Sequence, residues 1–155
     1  MGALAAEIPL EQLDAAMDEL SARFNEAPLT DALRQCGDIL RRGFSYNFSQ
    51  GSSPSSDWPP HAPATIKRYG PHPLLVLTGN MLRAVTMKGQ PGNVELIGYR
   101  EMSAGISRAT IPYAGAQNFG WGNIPQREYL DVDRPTEEQC YALLGHALDE
   151  LLQAN

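Results

Sequence analysis

Three stretches of the chain carry apolar residues at helical spacing. They predict helices over 9–24, over 29–48 and from Pro135 onward, the last opened by a capping box of Thr136 and Gln139. Stripes of this width are how helices at the surface of a domain meet its core. The stripe residues are Leu13, Met17, Leu20 and Phe24; Leu29, Leu33, Cys36, Leu40, Phe44 and Phe48; and Cys140, Leu144, Ala147, Leu148 and Leu151.

Shorter patterns between these helices predict a small sheet. Apolar runs at 85–87 and 94–97 flank a Gly- and Pro-containing turn, which is typical of an antiparallel hairpin spanning 84–99. The alternation at 128–132 predicts one more strand with a buried face, whereas 99–110 has no clear period and is interpreted as a loop. We therefore expect a single α+β domain, with N-terminal and C-terminal helices packed on one face of a small antiparallel sheet.

The stretch from Tyr113 to Leu130 alternates aromatic and small residues too densely for a solvated linker, and predicts a packed corner. Gly120 and Gly122 flank Trp121, so the backbone can take positive φ on both sides of a large ring. Such a ring must be buried or held against a partner.

The segment 49–63 is rich in serine, glycine and proline, and is predicted to be a flexible loop. Trp58 is the exception in this segment. A tryptophan followed by two prolines is expected to pin the end of the loop back onto the domain.

The composition of the chain argues against some classes of function. The 155-residue chain has 18 carboxylates against 12 Lys and Arg, a formal net charge of −6, which argues against a protein that neutralises nucleic-acid phosphates or a membrane surface. No basic N-terminal region or long apolar run predicts a signal peptide or membrane helix, so we expect a soluble protein. Cys36 and Cys140 lie in helical patterns and are interpreted as buried thiols in a reducing compartment.

Residues for catalysis are hard to find in the sequence. His61, His72 and His146 match no zinc spacing, no serine lies in a Gly-x-Ser-x-Gly turn, and neither cysteine has a setting that would lower its pKa. We expect no catalytic residue, no metal and no cofactor. The alternative from another class is a small metal-assisted hydrolase that uses His61, His72 and Asp57.

The sequence contains several weak motifs in a fixed order. They are Trp58-Pro59-Pro60 with Thr65 and Lys67, Leu75-x-x-Thr78-Gly79-x-x-Leu82, Ile97-Gly98, Tyr113-Ala114 with Phe119-Gly120, and Ile124-Pro125-x-Arg127-x-x-Leu130. Together these motifs resemble the phage virion morphogenesis family, which comprises the Mu-type and P2-type tail completion proteins. The resemblance covers roughly 40–150 and departs from the family at Gln117, where a histidine is usual, and at 125–129, where Pro-Ala-Arg-Pro-Phe is usual.

The resemblance implies a structural phage or prophage protein with no catalytic activity, acting in tail completion or head–tail joining as a ring-forming adaptor. A tail terminator or minor tail protein is the alternative within the same class. The implied partners are further copies of the chain and phage neck, portal or tail-tube proteins, with no sequence-specific nucleic acid and no membrane. The implied location is the bacterial cytoplasm during assembly and then the virion. Aromatic and arginine side chains are enriched in interface cores, so the candidate interaction surface is Trp58, Phe119, Trp121, Arg127 and Tyr129.

Overall fold

The longest helix carries the second predicted stripe. A computed structural model describes residues 14–15, 17–19, 22, 27–98 and 101–153, and in it α1 (Ala27–Gln50) spans that stripe. The elements that follow are β1 (Ser52–Ser53), β2 (Ser56–Asp57), α2 (Pro63–Tyr69), α3 (Asn80–Thr86), β3 (Asn93–Ile97), β4 (Met102–Ile106), α4 (Ala114–Phe119) and α5 (Arg134–Gln153). The fold is α+β, which confirms the predicted class.

Helices α1 and α5 pack along each other, as their apolar stripes predict. Leu29 and Leu33 of α1 meet Leu151 of α5 in one buried cluster, with Leu144 and Leu148 packed against it. Burying one leucine side chain contributes about 1.5–3 kcal/mol, so this contact is a major part of the helix pair's stability. The first predicted helix, 9–24, lies largely outside the described residues, of which 14–15, 17–19 and 22 are helical.

The main core forms where the C-terminal half of α1 meets α3, the hairpin β3–β4 and the corner 113–130. α1 contacts α3 and both strands of this hairpin. The buried residues of this core are Phe44, Phe48, Trp58, Met81, Ala84, Val85, Ile111, Ala114 and Tyr129. The corner is therefore attached to the end of α1 that lies far from Leu29.

The predicted hairpin over 84–99 is wrong in its first strand. Met81, Ala84 and Val85 are buried at i, i+3 and i+4 of α3, so the apolar run at 85–87 begins as the end of a helix. β3 instead pairs antiparallel with β4, from Asn93 opposite Ile106 to Ile97 opposite Met102. The loop predicted over 99–110 thus contains the partner strand.

The strand predicted over 128–132 is also wrong, although buried and less buried residues alternate over 127–130. The segment forms no ladder with any strand in the described ranges. Side-chain amides of Asn118 and Asn47 bond its backbone instead. These amides satisfy backbone groups that would otherwise need a neighbouring strand.

The segment 49–63 contains the end of α1, the short hairpin β1–β2 and the first residue of α2, so it is not a loop throughout. Ser55 at the tip of the hairpin donates its hydroxyl to an Asp131 carboxylate oxygen 2.6 Å away. The mobility of this segment stays a prediction.

The cap of the last helix differs from the predicted capping box. Asp133, not Thr136, supplies the side-chain acceptor, because its Oδ1 accepts hydrogen bonds from the backbone N–H and the hydroxyl of Thr136. Those two hydrogen bonds hold the pKa of the Asp133 carboxyl below its usual range.

Candidate interaction surface

A tight turn at the end of α4 presents two aromatic side chains to solvent. Gly120 ends the helix with a φ of 75°, and Gly122 has a φ of 56°, so the predicted positive φ of both glycines is confirmed. Trp121, which lies between these two glycines, exchanges backbone hydrogen bonds of 3.0 and 2.8 Å with Ile124. We call residues 119–124 the aromatic turn.

The side chains of Phe119 and Trp121 are not buried by their own chain. Phe119 is 72% exposed and Trp121 is 78% exposed. Of the two environments predicted for the Trp121 ring, burial within the described chain is therefore excluded. The turn therefore presents two exposed aromatic side chains, an apolar projection that we take as the candidate contact surface.

A buried network of amide and hydroxyl groups fixes the base of the aromatic turn. Asn118 Oδ1 accepts hydrogen bonds from the backbone N–H groups of Tyr129 and Leu130, at 3.0 and 3.1 Å. The Tyr129 hydroxyl donates to the carbonyl of Ala114, 3.1 Å away. Burial raises the pKa of this hydroxyl, with the charge of Tyr113 as a smaller cause, so it remains protonated and able to donate.

Asn47 extends this network to α1. Its Nδ2 donates to the carbonyls of Tyr129 and Asp131, at 3.3 and 2.7 Å. The aromatic turn is therefore connected through Asn118, residues 129–131 and Asn47 to the longest helix of the fold. Such a connection restrains the turn, since its hydrogen bonds join groups that are buried or partly buried.

Arg127 joins the corner to the segment after Trp58. Its guanidinium donates to the carbonyls of Pro59 and Pro60, at 2.9 and 3.0 Å, and to Gln117 Oε1 at 3.3 Å. Gln117 thus has a hydrogen-bonding role at the position where the resembled family has a histidine. Burial lowers the pKa of Arg127, and no carboxylate in the described part of the chain forms an ion pair with it.

Trp58 is a core residue. It is buried edge-on against Phe48, with ring centroids 5.8 Å apart, which confirms that it packs back onto the domain. Trp58, Arg127 and Tyr129 are each buried, so their assignment to an interaction surface is wrong. They are buried because the corner uses its large side chains to fill its own interior. Phe119 and Trp121 remain as candidate contact residues.

A groove opens beside the aromatic turn, between α2, the segment that precedes α3, and the corner. It encloses about 670 Å³, and its lining residues come from 60–69, 72–81 and 113–127. Pockets of this size hold small molecules or short peptide segments. Among the described residues that line it, none is an aspartate or a glutamate, and Arg127 is its one Lys or Arg.

The wall of the groove contains a strained residue. Leu75 lines it with a φ of 62°, in the left-handed region that residues other than glycine rarely adopt. Conformations of this kind persist only where the surroundings enforce them, and they concentrate at functional sites. Leu75 packs against the main core, which holds this wall in place.

The two histidines of the groove do not form a metal site in the described structure. The rings of His61 and His72 lie with centroids 4.2 Å apart, and the buried His61 Nε2 has no hydrogen-bond partner among the residues that the structure describes. Within the described ranges, no group of three His, Cys, Asp or Glu side chains is placed to hold a metal ion. The hydrolase alternative therefore gains no specific support from this geometry.

The two cysteines are free thiols that face each other across the α1–α5 contact. The Sγ of Cys36 lies 3.6 Å from the carbonyl oxygen of Cys140. Burial, followed by the charge of the neighbouring Cys140, raises the pKa of Cys36 to about 12. The burial of Cys36 and its raised pKa favour a packing role over a nucleophilic one.

Sequence reasoning missed the two asparagines that support the aromatic turn. The signal for Asn118 was its place beside Phe119 in a stretch predicted to be packed, where a buried amide needs hydrogen-bond partners. Asn47 gave no such signal, because its partner Tyr129 lies 82 residues away in sequence. The groove was missed for the same reason, since its walls are separate segments of the chain.

Comparisons with known proteins returned no matching family model, no matching curated protein and no matching solved structure. No helix among the described residues is long and apolar enough to cross a membrane.

Proposed function

We propose that this chain is a structural protein of phage or prophage virion morphogenesis. It acts in tail completion or head–tail joining as a ring-forming adaptor, has no catalytic role, and binds further copies of itself and phage neck, portal or tail-tube proteins. The motif order in the sequence implies this role. The observation that carries it is the exposure of Phe119 and Trp121 on the supported aromatic turn.

The chemistry of the turn favours binding over catalysis. Neither Phe119 nor Trp121 can act as an acid, a base or a nucleophile, whereas tryptophan is enriched among the residues that contribute most to protein interfaces. The network of Asn118 and Asn47 restrains the turn before any partner arrives. Restraint of this kind lowers the entropy lost on binding.

The net charge of −6 favours assembly on a template over spontaneous assembly. Identical acidic subunits repel one another, which holds the free protein back from forming a ring too early. Salt screens exposed charges over a Debye length of about 10 Å at 0.1 M. Self-association should therefore strengthen as the salt concentration rises.

Light scattering over a range of protein and salt concentrations tests this function. The wild-type chain should form larger species at higher concentration and higher salt. The double variant Phe119→Ala/Trp121→Ala should stay monomeric under the same conditions, since it loses the apolar projection. Tyr141→Ala is the matched control, because Tyr141 is an equally exposed aromatic residue on α5.

The outcomes of this experiment test the adaptor function and the assignment of the contact to the aromatic turn separately. A wild-type chain that stays monomeric at every salt concentration and binds no neck or tail component contradicts the adaptor function. Association that persists in the double variant, or that is lost equally in Tyr141→Ala, contradicts the assignment of the contact to the aromatic turn.

A further inference from the structure

The charges of this chain are strongly segregated along its sequence. Residues 1–22 contain five carboxylates and no Lys or Arg: Glu7, Glu11, Asp14, Asp18 and Glu19. Residues 58–94 and 102–127 contain no Asp or Glu and carry six cations: Lys67, Arg68, Arg83, Lys88, Arg108 and Arg127. Oppositely charged segments of one protein favour contact between them.

The groove is built wholly from the two carboxylate-free stretches. Its polar groups include the buried guanidinium of Arg127, whose only described partners are uncharged oxygens. Apolar side chains on its rim remain accessible, including Tyr69, Leu77 and Ile124. A ligand suited to this groove combines apolar side chains with negative charge.

The N-terminal segment, residues 1–22, has this chemistry. Its carboxylates alternate with apolar residues, and the predicted stripe contains Met17. In the described part of this segment Met17 is 61% exposed, and Asp14, Asp18 and Ala22 are exposed as well. The described residues of the segment are therefore not packed into the core of their own chain.

The start of α1 and the groove lie at opposite ends of that helix. Leu29 marks the first turn, whereas Phe48, near the last turn, contacts Trp58, and Arg127 of the groove binds the carbonyls of Pro59 and Pro60. Phe48 lies 19 positions after Leu29, which is about 28 Å along the helix at 1.5 Å per residue. Residues 1–22 precede the start of α1 in the sequence, so their binding to the groove of a second copy joins two different surfaces of the subunit. Such head-to-tail contacts form rings when the rotation between subunits closes, and filaments when it does not.

We propose that the groove of one subunit binds the acidic N-terminal segment of a second copy of the chain. This inference rests on the proposed ring-forming function and identifies one of the contacts between subunits. The carboxylates of residues 1–22 meet a groove that lacks carboxylates, and the apolar side chains of the same segment cover the apolar rim of the groove. Because Arg127 is buried, this contact is screened by salt much less than the repulsion between exposed carboxylates.

Site-specific photo-cross-linking tests the contact in the full chain. A photoreactive p-benzoylphenylalanine replaces Tyr69 in the groove, and the matched control replaces Tyr141 on α5. Equal amounts of ¹⁴N-labelled and ¹⁵N-labelled protein are mixed under conditions in which light scattering detects oligomers, and are then irradiated. Mass spectrometry identifies the cross-linked peptides and shows whether the two halves carry different isotopes.

The proposal predicts cross-links from position 69 to residues 1–22 that join a ¹⁴N peptide to a ¹⁵N peptide, and none of these from position 141. Leu77→Asp adds a carboxylate to the groove at an exposed position, and should lower the yield of this mixed cross-link about tenfold, because like charges placed across an interface oppose binding. Cross-links to 1–22 that never mix isotopes contradict binding of a second copy. An unchanged yield in Leu77→Asp contradicts the charge argument.

Failure of this inference is distinguishable from failure of the proposed function. An oligomer without cross-links between position 69 and residues 1–22 overturns the groove contact and leaves the ring-forming role standing. A chain that is monomeric at every salt and protein concentration, and that binds no neck or tail component, overturns both.

Discussion

Asn118→Ala should destabilise the fold although it removes only a small polar side chain. The Oδ1 atom of Asn118 accepts two backbone N–H groups, those of Tyr129 and Leu130, and the residue is 3% exposed. A buried donor left without a partner costs about 1–3 kcal/mol. With two such donors, and some recovery if water enters the vacated space, we expect a loss of about 2–4 kcal/mol in the free energy of unfolding.

Urea unfolding followed by far-UV circular dichroism measures this loss, which should shift the midpoint without changing the slope of the transition. In a thermal scan, each 1 kcal/mol corresponds to roughly 2–4 °C for a chain of this size. Phe119→Ala is the matched control on the neighbouring residue. Because Phe119 is exposed, its removal should change stability by less than about 0.5 kcal/mol.

Equal stability of Asn118→Ala and Phe119→Ala would refute this reasoning. It would mean that the backbone of 129–130 does not depend on the amide of Asn118. The aromatic turn would then lack the support that the proposed function assigns to it.

Three further outcomes are expected. Trp58→Ala should lower the free energy of unfolding by about 3–5 kcal/mol, the range for a buried aromatic side chain, and should speed proteolysis within 49–56. An unchanged melting curve and cleavage pattern argue against Trp58 as an anchor. Gly120→Val should lower the free energy of unfolding by about 1–3 kcal/mol because Gly120 has a positive φ, whereas Gly145→Val on α5 should be nearly neutral because a Cβ added there meets open space. Similar losses in the two variants argue against backbone strain at Gly120. Since burial raises the pKa of Cys36 to about 12, its thiol should react with iodoacetamide at pH 8 much more slowly in the native protein than in urea, and equal rates argue against burial.

The raised pKa of Cys36 also has a consequence for stability. The unfolded chain loses the thiol proton near its ordinary pKa of about 8.5, whereas the folded chain keeps it up to about pH 12. The stabilisation from this neutral thiol is complete below the unfolded pKa and is lost as pH rises through the window between the two values.

The helices were predictable from sequence because each depends on a local spacing of apolar residues. α1 and α5 match their stripes, and the same rule would have found α3, since Met81, Ala84 and Val85 have helical spacing. The prediction instead assigned the last turn of α3 to a strand of the hairpin over 84–99. β4 was missed although Met102, Ala104 and Ile106 alternate with Ser103 and Gly105, because glycine and alanine are depleted in strands and the segment is only five residues long.

The corner shows why local pattern predicted only part of the site. The positive φ of Gly120 follows from the residue itself, and so was predictable. The alternation at 127–130 indicates the buried positions correctly. The backbone groups of this segment, however, form hydrogen bonds with side-chain amides rather than with a neighbouring strand. Which aromatic rings face solvent depends on contacts between segments far apart in sequence. Tyr129 was therefore assigned wrongly to the surface, whereas Phe119 is indeed exposed.

Binding to an assembled phage structure tests the central claim most directly. Purified portal rings or tail tubes are mixed with the chain and sedimented, and the bound protein is quantified for wild type, Phe119→Ala/Trp121→Ala and the Tyr141→Ala control. The account predicts that wild type and Tyr141→Ala bind at one fixed ratio per ring and that the double variant remains in the supernatant. Failure of the wild-type chain to bind any portal, neck or tail-tube assembly would contradict the account.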